Sequence, residues 1–195
     1  MVEQLGLGDE FFASLAAIDE KIMLAVAAGR CPLCGGPLHR SDYGRKPRGA
    51  LLAPAGEALV TRFSLCCGRE GCRKRATPPS LRFLGRRVYL GAVILVASML
   101  ARRMASATEL HQATGVPTRT MRRWLGWWGG PFVSTGVFIA ACAQLIGVAL
   151  EELPTSIVQR LAGSPTVQVR AMLALLAPLT TGSVRDGARF LRDAP

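Results

Sequence analysis

Two tight thiol pairs lie far apart in this chain, Cys31-Pro-Leu-Cys34 and Cys67-Gly-Arg-Glu-Gly-Cys72. Each pair is short enough to turn two sulfurs toward one point, and four thiolates about 2.3 Å from one ion form the tetrahedral shell of a structural zinc. Gly35 and Gly36 follow the first pair, and Arg73-Lys74-Arg75 follow the second. Cys31, Cys34, Cys67 and Cys72 are therefore the expected ligands of one Zn2+ with a structural role. Cys66 stands as the alternative to Cys67, because adjacent residues of a strand point to opposite faces. His39, five residues after Cys34, reads as a surface or phosphate-contacting side chain, since four cysteines already complete the shell. Cys142, alone in an apolar stretch, reads as a core residue.

The sequence carries no recognisable catalytic pattern. The sequence holds no HExxH motif, no phosphate-binding glycine loop and no nucleophile beside a base. His39 and His111 are its two histidines. The chain is read as a non-enzyme. Its formal net charge is +11, distributed as −4 over residues 1–29, +10 over 30–90, +4 over 102–128 and +1 over 129–195. Such a block concentrates positive potential where phosphates can be neutralised and counterions released, so double-stranded DNA is the expected partner. RNA is a weaker variant, because aromatic residues are not interleaved with the basic ones.

These side chains need elements to position them. Phe11, Phe12, Leu15, Ile18, Ile22 and Val26 recur at helical spacing, which predicts a helix over 9–28 closed by Gly29 as a C′ glycine. Residues 40–60, rich in Gly, Pro and Arg, read as a long basic loop, partly disordered until a partner binds. Thr61 to Cys66 reads as a strand with Phe63 and Leu65 on one face and Arg62 and Ser64 on the other; it delivers the second cysteine pair. Val88–Ala101, flanked by Arg86-Arg87 and Arg102-Arg103, is an apolar core helix. Ser106-Ala-Thr-Glu109 is a capping box that starts the next helix. Gly115 permits a tight turn, and Thr118 to Leu125 forms a second helix. In this helix-turn-helix Leu110, Val116, Met121 and Leu125 face inward. Thr118, Arg119, Arg122 and Arg123 project outward, where arginine can read guanine in the major groove. Arg73, Lys74 and Arg75 add phosphate contacts. His111 falls on the helix edge, and Trp124, Trp127 and Trp128 read as packing anchors.

The order Phe63-Ser-Leu-Cys-Cys, Cys72-Arg-Lys-Arg-Ala-Thr-Pro-Pro-Ser80, an apolar helix, and Ser106-Ala-Thr-Glu-Leu followed by Gly115-Val and Arg122-Arg-Trp124 resembles the N-terminal region of zinc-ribbon insertion-sequence transposases. The resemblance covers residues 31–128. It implies a zinc ribbon feeding a helix-turn-helix that recognises the ends of a mobile element. The second cysteine pair is spaced more widely than in those transposases, and the insert between the pairs is longer. Residues 129–195 hold only Glu151, Glu152, Asp186 and Asp193 as acids, too few for a carboxylate-based nuclease domain. The resemblance thus implies DNA recognition in an accessory, regulatory or remnant protein without catalysis.

The C-terminal third reads as a loop and helices. Residues 129–150 are uncharged, but their glycines and polar residues favour a loop followed by a buried helix over a membrane span. Leu153–Ala162 and Val167–Leu176 are further helices, with Pro154 near a start and Pro178 at an end. The expected class is mainly α with a small β zinc ribbon. Its parts are an N-terminal helix (1–29), a zinc-ribbon domain with a basic insert (30–85), a helix-turn-helix (86–128) and a helical C-terminal region (129–195). The acidic start lacks the basic region of a secretory signal, so the expected compartment is cytoplasmic, where paired cysteines bind metal. Candidate protein contacts are a separate transposase or self-association through the C-terminal helices. The competing reading is a membrane-associated or protein-interaction module that carries a zinc ribbon.

Overall fold

A computed structural model describes residues 7–47, 57–84, 89–103 and 106–181. The chain is mainly helical with a small antiparallel sheet. Helix α1 spans Asp9–Ala28 and starts with Asp9 and Glu10, whose charges suit the positive end of the helix dipole. Phe11, Phe12, Leu15 and Ile22 are buried as their spacing predicts, while Ile18 and Val26 are half-buried. Gly29 does not act as the left-handed C′ residue: its φ is −75°, and the left-handed turn falls on Arg30 at φ 64°.

The sheet region comprises β1 (Leu38–Arg40), β2 (Tyr43–Gly44), the helical turn α2 (Glu57–Val60), β3 (Thr61–Arg62), β4 (Leu65–Cys67) and β5 (Arg75–Ala76). The strand expected over Thr61–Cys66 is split at Phe63-Ser64, because β3 pairs with β2 whereas β4 lies between β1 and β5. The split overturns the expected alternation. Arg62 and Ser64, read as outward-facing, are 1% and 0% exposed. Arg62 donates from Nη2 to the Pro78 carbonyl at 2.5 Å, and burial lowers its pKa against the attraction of Asp19. Ser64 donates its amide to Asp42 Oδ1 and accepts on Oγ from Arg75 Nη1. The basic insert contributes β2 and α2 to the fold, and its centre, where disorder was expected, lies outside the described residues.

The helical region starts with α3 (Gly91–Ala101), almost entirely buried; Val88, its expected start, and the flanking Arg86-Arg87 lie outside the described residues. Gly91 permits a close approach: a Cβ there would meet Leu173 Cδ2 at 3.0 Å and the Leu81 carbonyl at 3.2 Å. Next come α4 (Ala107–Thr114), α5 (Thr118–Trp127), a π-helical turn (Trp128–Phe132) and α6 (Gly136–Cys142). A 3-10 turn (Leu150–Glu152), α7 (Thr155–Val158), α8 (Pro165–Leu176) and a second 3-10 turn (Ala177–Thr180) complete it.

Three expectations fail in this part. The helix read over Leu153–Ala162 shortens to α7. The buried helix read within residues 129–150 is the short α6, with Ile139 63% exposed and, beyond it, Ile146 95% exposed. Cys142 is exposed rather than core, since α6 turns Phe138 and Ala141 inward and the next residue lies about 100° around the helix. Leu125, expected to face inward, is half-buried and packs against the core beside Trp124, which is 3% exposed.

One apolar core joins α1 to α3–α8, and a smaller cluster of Met23, Phe63, Leu65 and Ala76 lies between α1 and the sheet. Helix α1 thus serves both. Its buried Asp19 accepts hydrogen bonds from Ser80 Oγ (2.5 Å), Leu81 N (2.7 Å) and Arg82 Nε (2.9 Å). Asp19 and Arg82 form an ion pair with both side chains 0% exposed. The Arg82 guanidinium lies over the rings of Phe63 and Phe83 at 4.7 and 5.1 Å, so cation and aromatic faces share the desolvated space. Among the described residues no single helix is long and apolar enough to cross a membrane; residues 118–132 and 136–142 pass by length and composition only as a pair bent by 75°.

Candidate metal centre and basic helix face

Two turns carry the sulfurs. In the first, Gly35 N donates to the Cys31 carbonyl and Cys31 N donates to the Gly36 carbonyl, each at 2.9 Å. Gly35 sits at φ 69°, which glycine adopts without strain. In the second, Cys67 N donates to the Lys74 carbonyl, Cys72 N donates to the Arg69 carbonyl, and Arg69 N donates to Cys67 Sγ at 3.4 Å. Strand β1 brings the turns together, pairing Leu38 with Cys67 while Gly68 N reaches the Pro37 carbonyl.

The Sγ atoms of Cys31, Cys34, Cys67 and Cys72 all lie within 4.8 Å of one another. Two of their edges measure 3.9 Å (Cys31 to Cys72) and 3.5 Å (Cys34 to Cys67). A tetrahedron with arms of about 2.3 Å has edges of about 3.8 Å, so the cluster has the dimensions of a four-sulfur metal site. Gly36 closes it on one side: a Cβ there would lie 2.8 Å from Arg69 Cβ and 3.0 Å from Cys67 Sγ.

Strand register resolves the competition between Cys66 and Cys67. Leu65 and Cys67 share the buried face of β4, and Cys66, opposite His39 and Arg75, directs its thiol toward the Arg73 carbonyl at 3.5 Å. His39 is exposed and packs over Gly68, outside the sulfur cluster.

Without a cation Cys34, Cys67 and Cys72 titrate unequally. The Gly36 amide, with the neighbouring thiols, lowers Cys34 to about 7. The Arg69 amide pulls Cys67 down, but burial and the other thiols outweigh it and push it up to about 12. The Lys74 amide likewise fails to offset the effect of Cys34 and burial on Cys72, which is raised. One thiolate forms readily and its charge opposes the next. A soft divalent cation reverses that order, because it favours all four thiolates at once.

The basic residues after Cys72 divide by role. Arg73 and Lys74 are exposed, whereas the Arg75 guanidinium donates to the Ser41 carbonyl (2.8 Å) and Ser64 Oγ (2.9 Å) and lies 5.3 Å from the Tyr43 ring. Arg75 therefore braces the sheet.

The second basic surface is on α5. Ser106 caps α4 by accepting from Thr108 N at 3.2 Å and Glu109 N at 3.5 Å. Gly115 makes the turn at φ 64°, and Val116, 1% exposed, plugs the gap between the helices. His111 Nδ1 lies 3.0 Å from the Val116 carbonyl at the helix edge. On α5, Met121 and Trp124 are buried, Thr118 is half-buried, and Arg119, Arg122 and Arg123 are exposed. None of these three arginines forms an ion pair among the described residues.

The sequence reading did not find two features. One is the Asp19 and Arg82 pair, although an acid at 19 within the stripe Leu15, Ile22 and Met23 is a signal. The other is a cleft of about 620 Å3 where α5 meets the π-helical turn, lined by Tyr89, Thr120, Arg123, Trp124, Gly126, Trp127 and Pro131. Trp124 and Trp128 are buried anchors as expected, but Trp127 is half-buried and lines this cleft.

Protein-family models, curated proteins and solved structures give no significant match to the chain.

Proposed function

We propose that this chain is a double-stranded DNA-binding protein in which Cys31, Cys34, Cys67 and Cys72 hold one structural Zn2+. In this reading the sulfur turns and β1-β4-β5 form a zinc ribbon, and α4 and α5 work as a helix-turn-helix with α5 in the major groove. The observation that carries the proposal is the exposed row Arg119, Arg122 and Arg123, without ion-pair partners among the described residues, on a helix whose other face is buried. A cation row outside any ion pair among the described residues suits phosphate and guanine recognition. Arg73 and Lys74, exposed beside the metal turn, supply backbone contacts on a second surface. The resemblance to zinc-ribbon insertion-sequence transposases supports a role at a mobile element, as an accessory, regulatory or remnant protein that recognises DNA without cutting it.

Binding of zinc-loaded protein to duplex DNA across a salt series tests this reading. Each phosphate contact contributes about −0.9 to the slope of log K against log salt. Replacing Arg119 or Arg122 with Ala is expected to weaken discrimination between sequences by about 1–3 kcal/mol while zinc stays bound. Zinc-loaded protein that binds no duplex at low salt overturns the reading.

The exposed Ile139, Ile146 and Leu150 favour a second reading, a protein-interaction or membrane-associated module. Recovery from cells only in membranes, resistant to high salt, is the outcome that supports its membrane form.

A further inference from the structure

The cleft beside α5 combines three chemistries that seldom meet by packing alone. Its aromatic wall comes from Tyr89 and Trp124, which meet edge to face at 5.0 Å, and from Trp127. Trp127 packs on Trp128 and Phe132 at 4.8 and 5.2 Å and still presents half-buried indole to the cleft. Its cationic edge is Arg123, exposed and outside any ion pair among the described residues. Its hydroxyl is that of Thr120, which has no side-chain hydrogen bond among them. A volume of about 620 Å3 falls within the usual range for small-molecule sites, roughly 300–1,000 Å3. The α5 helix passes into a π-helical turn here, an uncommon geometry that tends to mark functional positions. Gly126 keeps the cleft open, since no atom lies within 4 Å of where its Cβ would be.

We propose that this cleft takes one unstacked nucleotide of the DNA held by α5. Its base stacks on the Trp127 indole between Tyr89 and Pro131. Its phosphate meets Arg123, and Thr120 Oγ1 hydrogen-bonds to the sugar or a phosphate oxygen. A flat ring with a negative charge one sugar away matches an aromatic wall with a cation at its edge, and a paired duplex base has no free face to offer. The proposal rests on the DNA-binding reading above and adds a preference for DNA with an unpaired or extruded base. Because Arg123 borders both the cleft and the outward row of α5, the two surfaces share one cation.

The test compares zinc-loaded full-length protein on a fully paired duplex and on the same duplex with one unpaired nucleotide, with Trp fluorescence as second readout. Stacking of one base predicts roughly tenfold tighter binding of the bulged duplex and quenching of Trp emission by it. Gly126→Leu fills the cleft without removing any packing contact, and leucine suits a helix better than glycine. It is expected to abolish the tenfold preference and the extra quenching while leaving affinity for the paired duplex unchanged. Trp127→Phe keeps a ring in place and should retain part of the preference. Equal affinity for the two duplexes, or a preference that survives Gly126→Leu, overturns the cleft proposal while paired-duplex binding keeps the parent reading. Loss of binding to both duplexes in the wild-type protein overturns both.

Discussion

The sheet that carries the four sulfurs and the helical core differ in how much apolar surface holds them together. Around the metal turns the strands are two or three residues long and the apolar cluster is four buried residues, Met23, Phe63, Leu65 and Ala76. Among the described residues so small an apolar cluster does little to offset the ordering of the strands around it. In the proposed reading the cation held by the four sulfurs supplies the missing folding free energy. From α3 to α8, by contrast, Leu95, Trp128, Phe132, Leu173 and Leu176 are 0% exposed, and apolar burial alone suffices in kind. The difference lies in charge: among the described residues the sheet buries the cation Arg62 beside Ser64, while the buried polar residues of the helical region from α3 onward, Ser98, Thr114, Thr155, Ser156 and Thr180, are all uncharged.

The largest expected effect separates the two regions outright. Structural zinc contributes apparent binding free energies of about 10–16 kcal/mol in small zinc modules, so chelation or Cys67→Ser should unfold residues 31–76 and leave α3–α8 helical. Amide hydrogen exchange read segment by segment checks this, and equal loss of protection in both regions breaks the comparison. Zinc loading should also release protons, because Cys67 at about 12 and the raised Cys72 carry theirs at neutral pH. Affinity should therefore fall as pH falls, which a competition titration with a chelator across pH measures.

The next effect tests the joint. Asp19→Ala leaves Arg82 charged and buried with its carboxylate partner removed, a change that costs about 3–5 kcal/mol. Denaturant melts followed by Trp fluorescence should show it. If zinc affinity falls in step, α1 couples the regions; if only the helical melt moves, the pair belongs to the core.

Smaller changes sharpen the contrast on each side. Ser106→Ala removes the cap of α4 and should cost about 1 kcal/mol in the helical melt, with zinc affinity unchanged. Arg30→Gly relieves a left-handed residue just before Cys31 and should stabilise the zinc-loaded sheet by up to about 1 kcal/mol, seen as a higher melting temperature.

What the sequence disclosed follows the range of the forces involved. The cysteine turns, α1 and the Ser106 to Leu125 helix pair rest on contacts a few residues apart, so spacing and capping reveal them. Cys66 against Cys67 was undecidable, because the choice depends on pairing with Leu38, from a different part of the chain. Asp19 and Arg82 stand 63 residues apart, and neither has a local feature naming its partner. Arg62 and Ser64 misled for the same reason: alternation describes one continuous strand, and the break at Phe63-Ser64 comes from β2 and β1 claiming different halves. Cys142 misled because its stretch is apolar all round, and only the packing of Phe138 and Ala141 against distant elements decides which face of α6 is covered.

The interval between Asp19 and Arg82 also sets a schedule for synthesis. With elongation at about 5–20 residues per second, 63 residues correspond to roughly 3–13 s during which the Asp19 carboxylate has no guanidinium to meet. Cys31, Cys34, Cys67 and Cys72 all leave the ribosome before Arg82 does. All four sulfurs are therefore available while Asp19 still lacks its partner, and in the proposed reading a metal captured at that moment would order the segment that leads to Arg82.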